Sequence, residues 1–208
     1  MFMKWKYFLF LLLALLCATF SWSRYVNLDQ GSPARYIGSE VVYFKDTTAA
    51  LSLPQVQQAY KEGRFIKGAN DILNFGNTPD AVWVHLALRK TGNNAAYLVV
   101  GYANIEQVDC YVGSGSRWNH LKAGSLIAAS PGVRSTNQYI FPINAREGQD
   151  TVEVWLRSKT RNIMLLPLQV AGVDNLYAIE NSNNRTIELC FVGFLLRFSS
   201  SIYFFTLQ

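Results

Sequence analysis

Trp118 stands in a run of hydrogen-bonding side chains, Arg117-Trp118-Asn119-His120, directly after Gly-Ser-Gly-Ser at 113–116. A flat ring flanked by donors and acceptors is the combination that stacks on the apolar face of a sugar and holds its hydroxyls. The competing role for the same ring is to fold inward and plug one end of a β-sandwich. A second grouping is Trp83, His85, Ala87 and Arg89, which alternate with Val82, Val84, Leu86 and Leu88. On a strand these two sets occupy opposite faces, one aliphatic and one aromatic and basic. His85 and Arg89 line a ligand groove if that second face is concave and wet, and a solvated outer face if it is not. Trp83, and Trp155 further on, are read as packing, because an aromatic on a strand ordinarily buries its large area. Asp109, beside Cys110, has no evident partner and is assigned no role.

Bond-breaking chemistry finds no support. The sequence holds no Gly-x-Ser-x-Gly elbow, no His-Glu-x-x-His and no Gly-x-Gly-x-x-Gly phosphate loop. Glu147 and Asp150 fall in a turn, where solvation explains them. Cys17, Cys110 and Cys190 are too scattered for a disulfide framework, and Cys110 reads as a small buried thiol. His85 and His120 with one loose cysteine give no metal-ligand spacing. Neither an enzyme, nor a metal, nor any other cofactor is expected.

The elements that carry these residues are short. The 208 residues are 50% hydrophobic and 16% charged, which suits one domain with a sizeable core. The formal charge is +5, of which Lys4 and Lys6 supply two, leaving +3 without any Lys/Arg run. That is too small to argue a nucleic-acid partner, and none is expected. A strand is expected over Glu40–Lys45 and a helix over Ser52–Glu62, with Ser52 and Gln55 as its capping box and Gly63 as its stop, together forming a lid or strap. Asn74–Asp80 supplies turn chemistry before the Val82–Arg89 strand. Further strands are expected over Ala95–Tyr102, then Gln107–Val112 at a hairpin-like distance, Tyr139–Ile143, Thr151–Arg157 and Met164–Val170. Gly113–Asn137 is the longest connection, with one more short strand near Leu121–Ala128. Strands this short and regular argue an all-β, antiparallel sandwich.

The two ends are apolar. Residues 1–23 read as a secretory signal: Lys4 and Lys6, an apolar Tyr7–Leu16, and Ser21 and Ser23 placed for cleavage before Arg24. An uncleaved anchor is the alternative. Residues 187–207 are just long enough to span a bilayer, although Glu188, the serines at 199–201 and Arg197 near the centre weaken the segment. A signal helix, a sandwich domain over 24–185 and a C-terminal apolar helix therefore divide the chain.

Several motifs occur in a telling order. Asn-Phe-Gly-x-Thr leads into Val-Trp-Val-x-Leu-x-Leu at 74–88, and the Trp118 segment is followed by Gly-Ser-Leu at 124–126 and Arg134. Tyr-Ile-Phe-Pro-Ile at 139–143, Val-Trp-Leu-Arg at 154–157 and Leu-Leu-Pro-Leu at 165–168 complete the series. The pattern resembles the type-two extracellular domain of bacterial seven-transmembrane receptors with diverse intracellular signalling modules. The likeness runs from Ile37 to Val170 and continues in Val192-Gly193-Phe194-Leu195-Leu196, which is similar to the start of the first membrane helix of those receptors. It implies a periplasmic jelly-roll sandwich, like a carbohydrate-binding module, that senses a small molecule with a sugar as the expected ligand. It also implies attachment to the bacterial inner membrane through 187–207, and a receptor truncated within its first membrane helix. Arg134 and Arg157 match arginines of that pattern, and each would either grip a ligand or tie a loop carbonyl to the sandwich. The candidate ligand contacts are thus Trp118, Arg117, Asn119, His120, Arg134 and His85. An exported, non-catalytic protein-interaction module and a receptor fragment without function are the alternatives.

Overall fold

The alternation of Val82, Val84, Leu86 and Leu88 becomes the inner face of the longest strand, β6 (Ala81–Lys90), and all four side chains are buried in the main core. The computed structural model of the protein describes residues 25–28, 33–90, 95–115, 117–143, 151–173, 175–177, 191–192 and 194. The signal segment expected over 1–23 and nearly all of the apolar segment expected over 187–207 lie outside these residues. Among the described residues, no helix is long and apolar enough to cross a membrane.

With strands numbered in chain order, β6 sits inside a seven-stranded sheet. The order is β4 (Ile66–Lys67), β3 (Val42–Asp46), β6, β12 (Thr151–Lys159), β8 (Gln107–Ser114) and β9 (Arg117–Ala123). β1 (Tyr25–Leu28) continues the β3 side of β6, running parallel to it, whereas the other described pairings are antiparallel. A five-stranded sheet packs against it in the order β10 (Arg134–Ser135), β11 (Tyr139–Ile143), β7 (Ala96–Val100), β14 (Leu168–Gly172) and β2 (Arg35–Tyr36). A two-stranded ribbon of β5 (Leu73–Asn77) and β13 (Ile163–Leu166) stands beside them. Every second residue of the central strands enters the space between the sheets: Val108, Cys110 and Val112 from β8, Val152, Val154 and Leu156 from β12, Leu98 and Val100 from β7, Phe141 and Ile143 from β11. This is the period-two burial of a sandwich, and the fold is mostly β with antiparallel sheets packed together.

Three local expectations change. β7 and β8 do not form a hairpin; they belong to different sheets, and residues 101–106 carry the chain across. Tyr139 secures that crossing by donating its hydroxyl to the Ala103 and Ile105 carbonyls, at 2.5 and 3.1 Å. The single strand expected over Met164–Val170 is two strands in different sheets, because Pro167 has no N–H to continue a ladder and turns the chain between β13 and β14. The long 113–137 connection contains a hairpin at its start, so that Trp118 lies on strand β9 and not in a loop.

The helix is α1 (Leu53–Lys61), with Ser52 at its N-cap as its sequence suggests. The Gln55 side-chain oxygen accepts from the Ser52 backbone N–H at 2.8 Å and from its hydroxyl at 2.7 Å. α1 lies on the outer face of the large sheet, where Leu53 and Val56 pack with Trp83 and Trp155. Burying each aliphatic side chain contributes about 1.5–3 kcal/mol. Ordering backbone costs about 1–2 kcal/mol per residue, so this small helix depends on the aromatic side chains beneath it.

The β8–β9 hairpin requires Gly113. A Cβ there would meet the Arg117 carbonyl oxygen at 2.2 Å, because the two strands converge closely before the turn at Gly115, which has φ 60°. Gly113→Ala is expected to destabilise the domain by about 1–3 kcal/mol through overpacking. Urea denaturation followed by circular dichroism reads this as a lower midpoint, and an unchanged midpoint would show that the hairpin has room to relax.

Candidate ligand-binding site

Register assigns the outer face of the large sheet residue by residue. Trp83, Arg157, Asp109 and Lys122 form one row across β6, β12, β8 and β9, and His85, Trp155, Tyr111 and His120 form the next. A third row runs Ala87, Glu153, Gly113, Trp118. Aromatic rings and polar side chains therefore share one continuous surface. α1 covers its β6 and β12 part and leaves the β8 and β9 part accessible.

Asp109 organises the accessible part. It is buried, and its Oδ1 lies 2.9 Å from His120 Nε2 while its Oδ2 accepts from Gln107 Nε2 at 2.7 Å and from Arg157 Nη1 at 3.3 Å. The same arginine donates through Nη2 to the Ala49 carbonyl at 2.8 Å. Arg157 thus ties a loop carbonyl to the sandwich, one of the two roles its residue type offered. His120 stacks on Tyr111 with ring centroids 4.2 Å apart and planes within 10°. Burial raises the Tyr111 phenol above its ordinary pKa and Asp109 reinforces this, while Arg157 opposes it, so the hydroxyl stays protonated at neutral pH.

The structure divides the six candidate contacts. Trp118 and His120 share the outer face, Trp118 half-buried against the aromatic cluster and His120 exposed. Arg117 and Asn119 alternate with them on β9 and pair with Ser114 and Val112, so they lie on the other side of that strand, both exposed. Arg134 is on β10 opposite Ile140, in the five-stranded sheet, and is not part of this surface. His85 is in the same row as His120 but 7% exposed, roofed by α1. It is neither in a wet groove nor on a solvated face: its ring stacks on Trp155 at 4.1 Å and meets Tyr60 of α1 at 4.5 Å. Arg89 is taken up by the Tyr25 ring, its guanidinium carbon 4.4 Å from the centroid.

Three ring nitrogens under α1 close no hydrogen bond of full geometry: Trp83 Nε1, which has no partner, and Trp155 Nε1 and His85 Nε2, which make only a loose contact with the Glu153 carboxylate. Each such buried group costs about 1–3 kcal/mol relative to a paired one. Glu153 Oε2 is 3.8 Å from His85 Nε2, an ion-pair separation too long for a hydrogen bond. The neighbouring His85 ring holds the Glu153 carboxyl below the ordinary carboxylate range against the opposing effect of burial, with Trp155 adding a smaller push in the same direction.

The loop before α1 is pinned from below. Asp46 is buried, which by itself raises its pKa, but its carboxylate accepts from the Thr48 hydroxyl and N–H and from the Leu51 N–H, at 2.6, 3.0 and 2.9 Å. These bonds outweigh desolvation and leave the pKa lowered. Ala49 sits at φ 50°, a left-handed conformation costing an L-residue about 1–2 kcal/mol.

Chemically, the accessible part offers ring faces beside a carboxylate, an imidazole and the exposed Lys122, a set suited to recognition. The nucleophile in reach of the sequence, Cys110, points into the core, and burial pushes its thiol far up. Asp109 is the residue that the sequence reading missed. Its signal was present: in Gln-Val-Asp-Cys-Tyr-Val, the apolar positions alternate, so Asp109 and Tyr111 must face outward together.

Two outcomes follow from these contacts. Arg157→Leu leaves Asp109 buried without its cation and is expected to cost about 3–5 kcal/mol, measured by urea denaturation; a loss below about 1 kcal/mol would mean the pair contributes little. The lowered Asp46 pKa makes its stabilisation complete above the ordinary value of 3.8 and lost as the pH falls below it, through the folded value. Hydrogen exchange at 47–52 is therefore expected to accelerate in acid relative to the core, and Asp46→Asn to remove that pH dependence. Equal pH dependence in the two proteins would refute it.

The family model described as 7TMR-DISM extracellular 2 matches residues 38–171, from the turn before β3 to all but the last residue of β14. No curated protein matches the chain. The chain belongs to this family, the extracellular sensory domain of seven-transmembrane receptors with diverse intracellular signalling modules.

Proposed function

We propose that this domain binds a carbohydrate or a similar small hydroxylated molecule in the periplasm, as the sensing part of a receptor of the bacterial inner membrane. The fold is best described as a jelly roll of the carbohydrate-binding-module kind, exported by the 1–23 segment and held to the membrane by 187–207. The observation that carries the reading is the Asp109 centre. A sheet surface on which Trp118, Tyr111 and His120 lie beside a carboxylate fixed by Arg157 and Gln107 matches what a sugar requires, namely ring faces for its C–H patches and fixed polar atoms for its hydroxyls. Arg117 and Asn119 lie on the same edge strand and reach a larger ligand from its far side. His85 and Arg134 are the outlying candidates, one roofed by α1 and one on the other sheet.

A thermal-shift screen of the purified chain tests this with methyl glycosides of glucose, galactose, mannose and N-acetylglucosamine, together with soluble cell-wall fragments. A ligand at 100 times its Kd adds about 2.7 kcal/mol to stability. Trp118→Ala and His120→Ala are expected to abolish the shift while the protein remains folded. A flat response across the panel from a well-folded sample would sink the proposal.

A further inference from the structure

Trp83 and Trp155 are almost completely buried, and the role of packing accounts for their rings but not for their nitrogens. A phenylalanine would fill the same kind of space without leaving an N–H unpaired. Here two indole N–H groups and one imidazole nitrogen close no full hydrogen bond within one patch, Trp83 Nε1 having no partner and Trp155 and His85 only a loose contact with the Glu153 carboxylate, all on the part of the sheet face that α1 covers. Phe44 and Phe65 extend the patch on one side, stacked at 5.6 Å, and Tyr111 on the other, stacked on Trp83 at 6.0 Å. It is therefore continuous with the accessible surface around His120.

The roof is self-contained. α1 satisfies its own ends, through the Ser52 N–H with the Gln55 side chain and through the Glu62, Gly63 and Arg64 N–H groups with the carbonyls of Gln58, Tyr60 and Ala59, and among the described residues it makes no side-chain hydrogen bond to the sheet. The backbone on either side is left-handed, unusually so at Ala49 with φ 50° and as an ordinary helix stop at Gly63 with φ 73°. The polar tethers between the sheet and the loop are the Asp46 carboxylate of β3, which holds Thr48 and Leu51, and the Arg157 bond to the Ala49 carbonyl; Arg157 is itself held by the carboxylate that holds His120.

We propose that α1 forms a lid, hinged on residues 47–52, over a second subsite for a sugar ring, so that the ligand is an oligosaccharide rather than a single sugar. This rests on the carbohydrate-sensing reading above. With the lid raised, Trp155 and Trp83 provide the stacking bed, their N–H groups and the His85 nitrogen meet ring hydroxyls, and Glu153 accepts from a hydroxyl at the border. From β9 to β6 is three strand spacings, about 14 Å, longer than one pyranose ring.

Hydrogen exchange on the full chain tests the lid without any ligand. Amides of 53–61 are expected to exchange by local opening, at least tenfold faster than those of β6 and β12; exchange of α1 together with the central strands overturns the lid. Cellobiose and N,N′-diacetylchitobiose, each against its methyl monosaccharide, then test the subsite by calorimetry. A disaccharide is expected to bind at least tenfold tighter than its monosaccharide, and Trp155→Phe, which keeps a ring and removes the N–H, to erase that advantage while monosaccharide binding persists. If sugars bind with no disaccharide advantage, or Trp155→Phe changes nothing, the subsite is refuted and the sensing role survives. If none of these sugars and none of the screening panel binds, both are refuted.

Discussion

One carboxylate on the outer face of a sheet joins a hairpin to two parts of the chain that are far from it in sequence. Asp109 of β8 pairs with Arg157 of β12, receives His120 of β9, and through Arg157 reaches the Ala49 carbonyl in the loop ahead of α1. A charge this buried is tolerated only with a partner and further hydrogen bonds. Its environment therefore constrains where β9, β12 and the loop can lie. The helix, the aromatic cluster under it and the accessible rings beside it are all placed by that requirement together with the core on the opposite face.

The features readable from sequence are those with a local cause. The alternation in Val82–Leu88 forces one face inward whatever the partner strands are, and Tyr139–Ile143 is a strand with the bounds its composition suggests. The α1 cap is likewise local, since Ser52 and Gln55 are three residues apart. Pairing is another matter. Nothing near residues 101–106 says that the chain leaves one sheet for the other, and the Gly-Ser-Gly-Ser run looks like a loop until the close approach of Arg117 to Gly113 makes it a tight hairpin. Pro167 did carry a legible signal, the missing donor that ends a ladder.

The site divides in the same way. Trp118 and His120 on one face follow from period two once β9 is known to be a strand, and the same rule separates them from Arg117 and Asn119. The partnership of Asp109 and Arg157, 48 positions apart, depends on β8 and β12 being neighbours. The burial of His85 depends on a helix from an earlier segment lying across it. Both are consequences of topology, and a single sequence encodes topology only through the sum of its contacts.

The strand β1 adds a mechanical property. It lies parallel to β6, with Tyr25 to Leu28 beside Ala87 to Lys90, and Tyr25 caps the Arg89 guanidinium. Evenly spaced bonds along a parallel pair share a pull directed along the strand axis, so tension on the residues before Tyr25 is resisted in shear and not peeled apart bond by bond. The other end of the domain leaves from β14 in the opposite layer, where Leu176 packs on Val99 and Ile140. The two ends therefore grip different sheets, and a displacement of one layer against the other is converted directly into a change in the separation of the points where the chain enters and leaves.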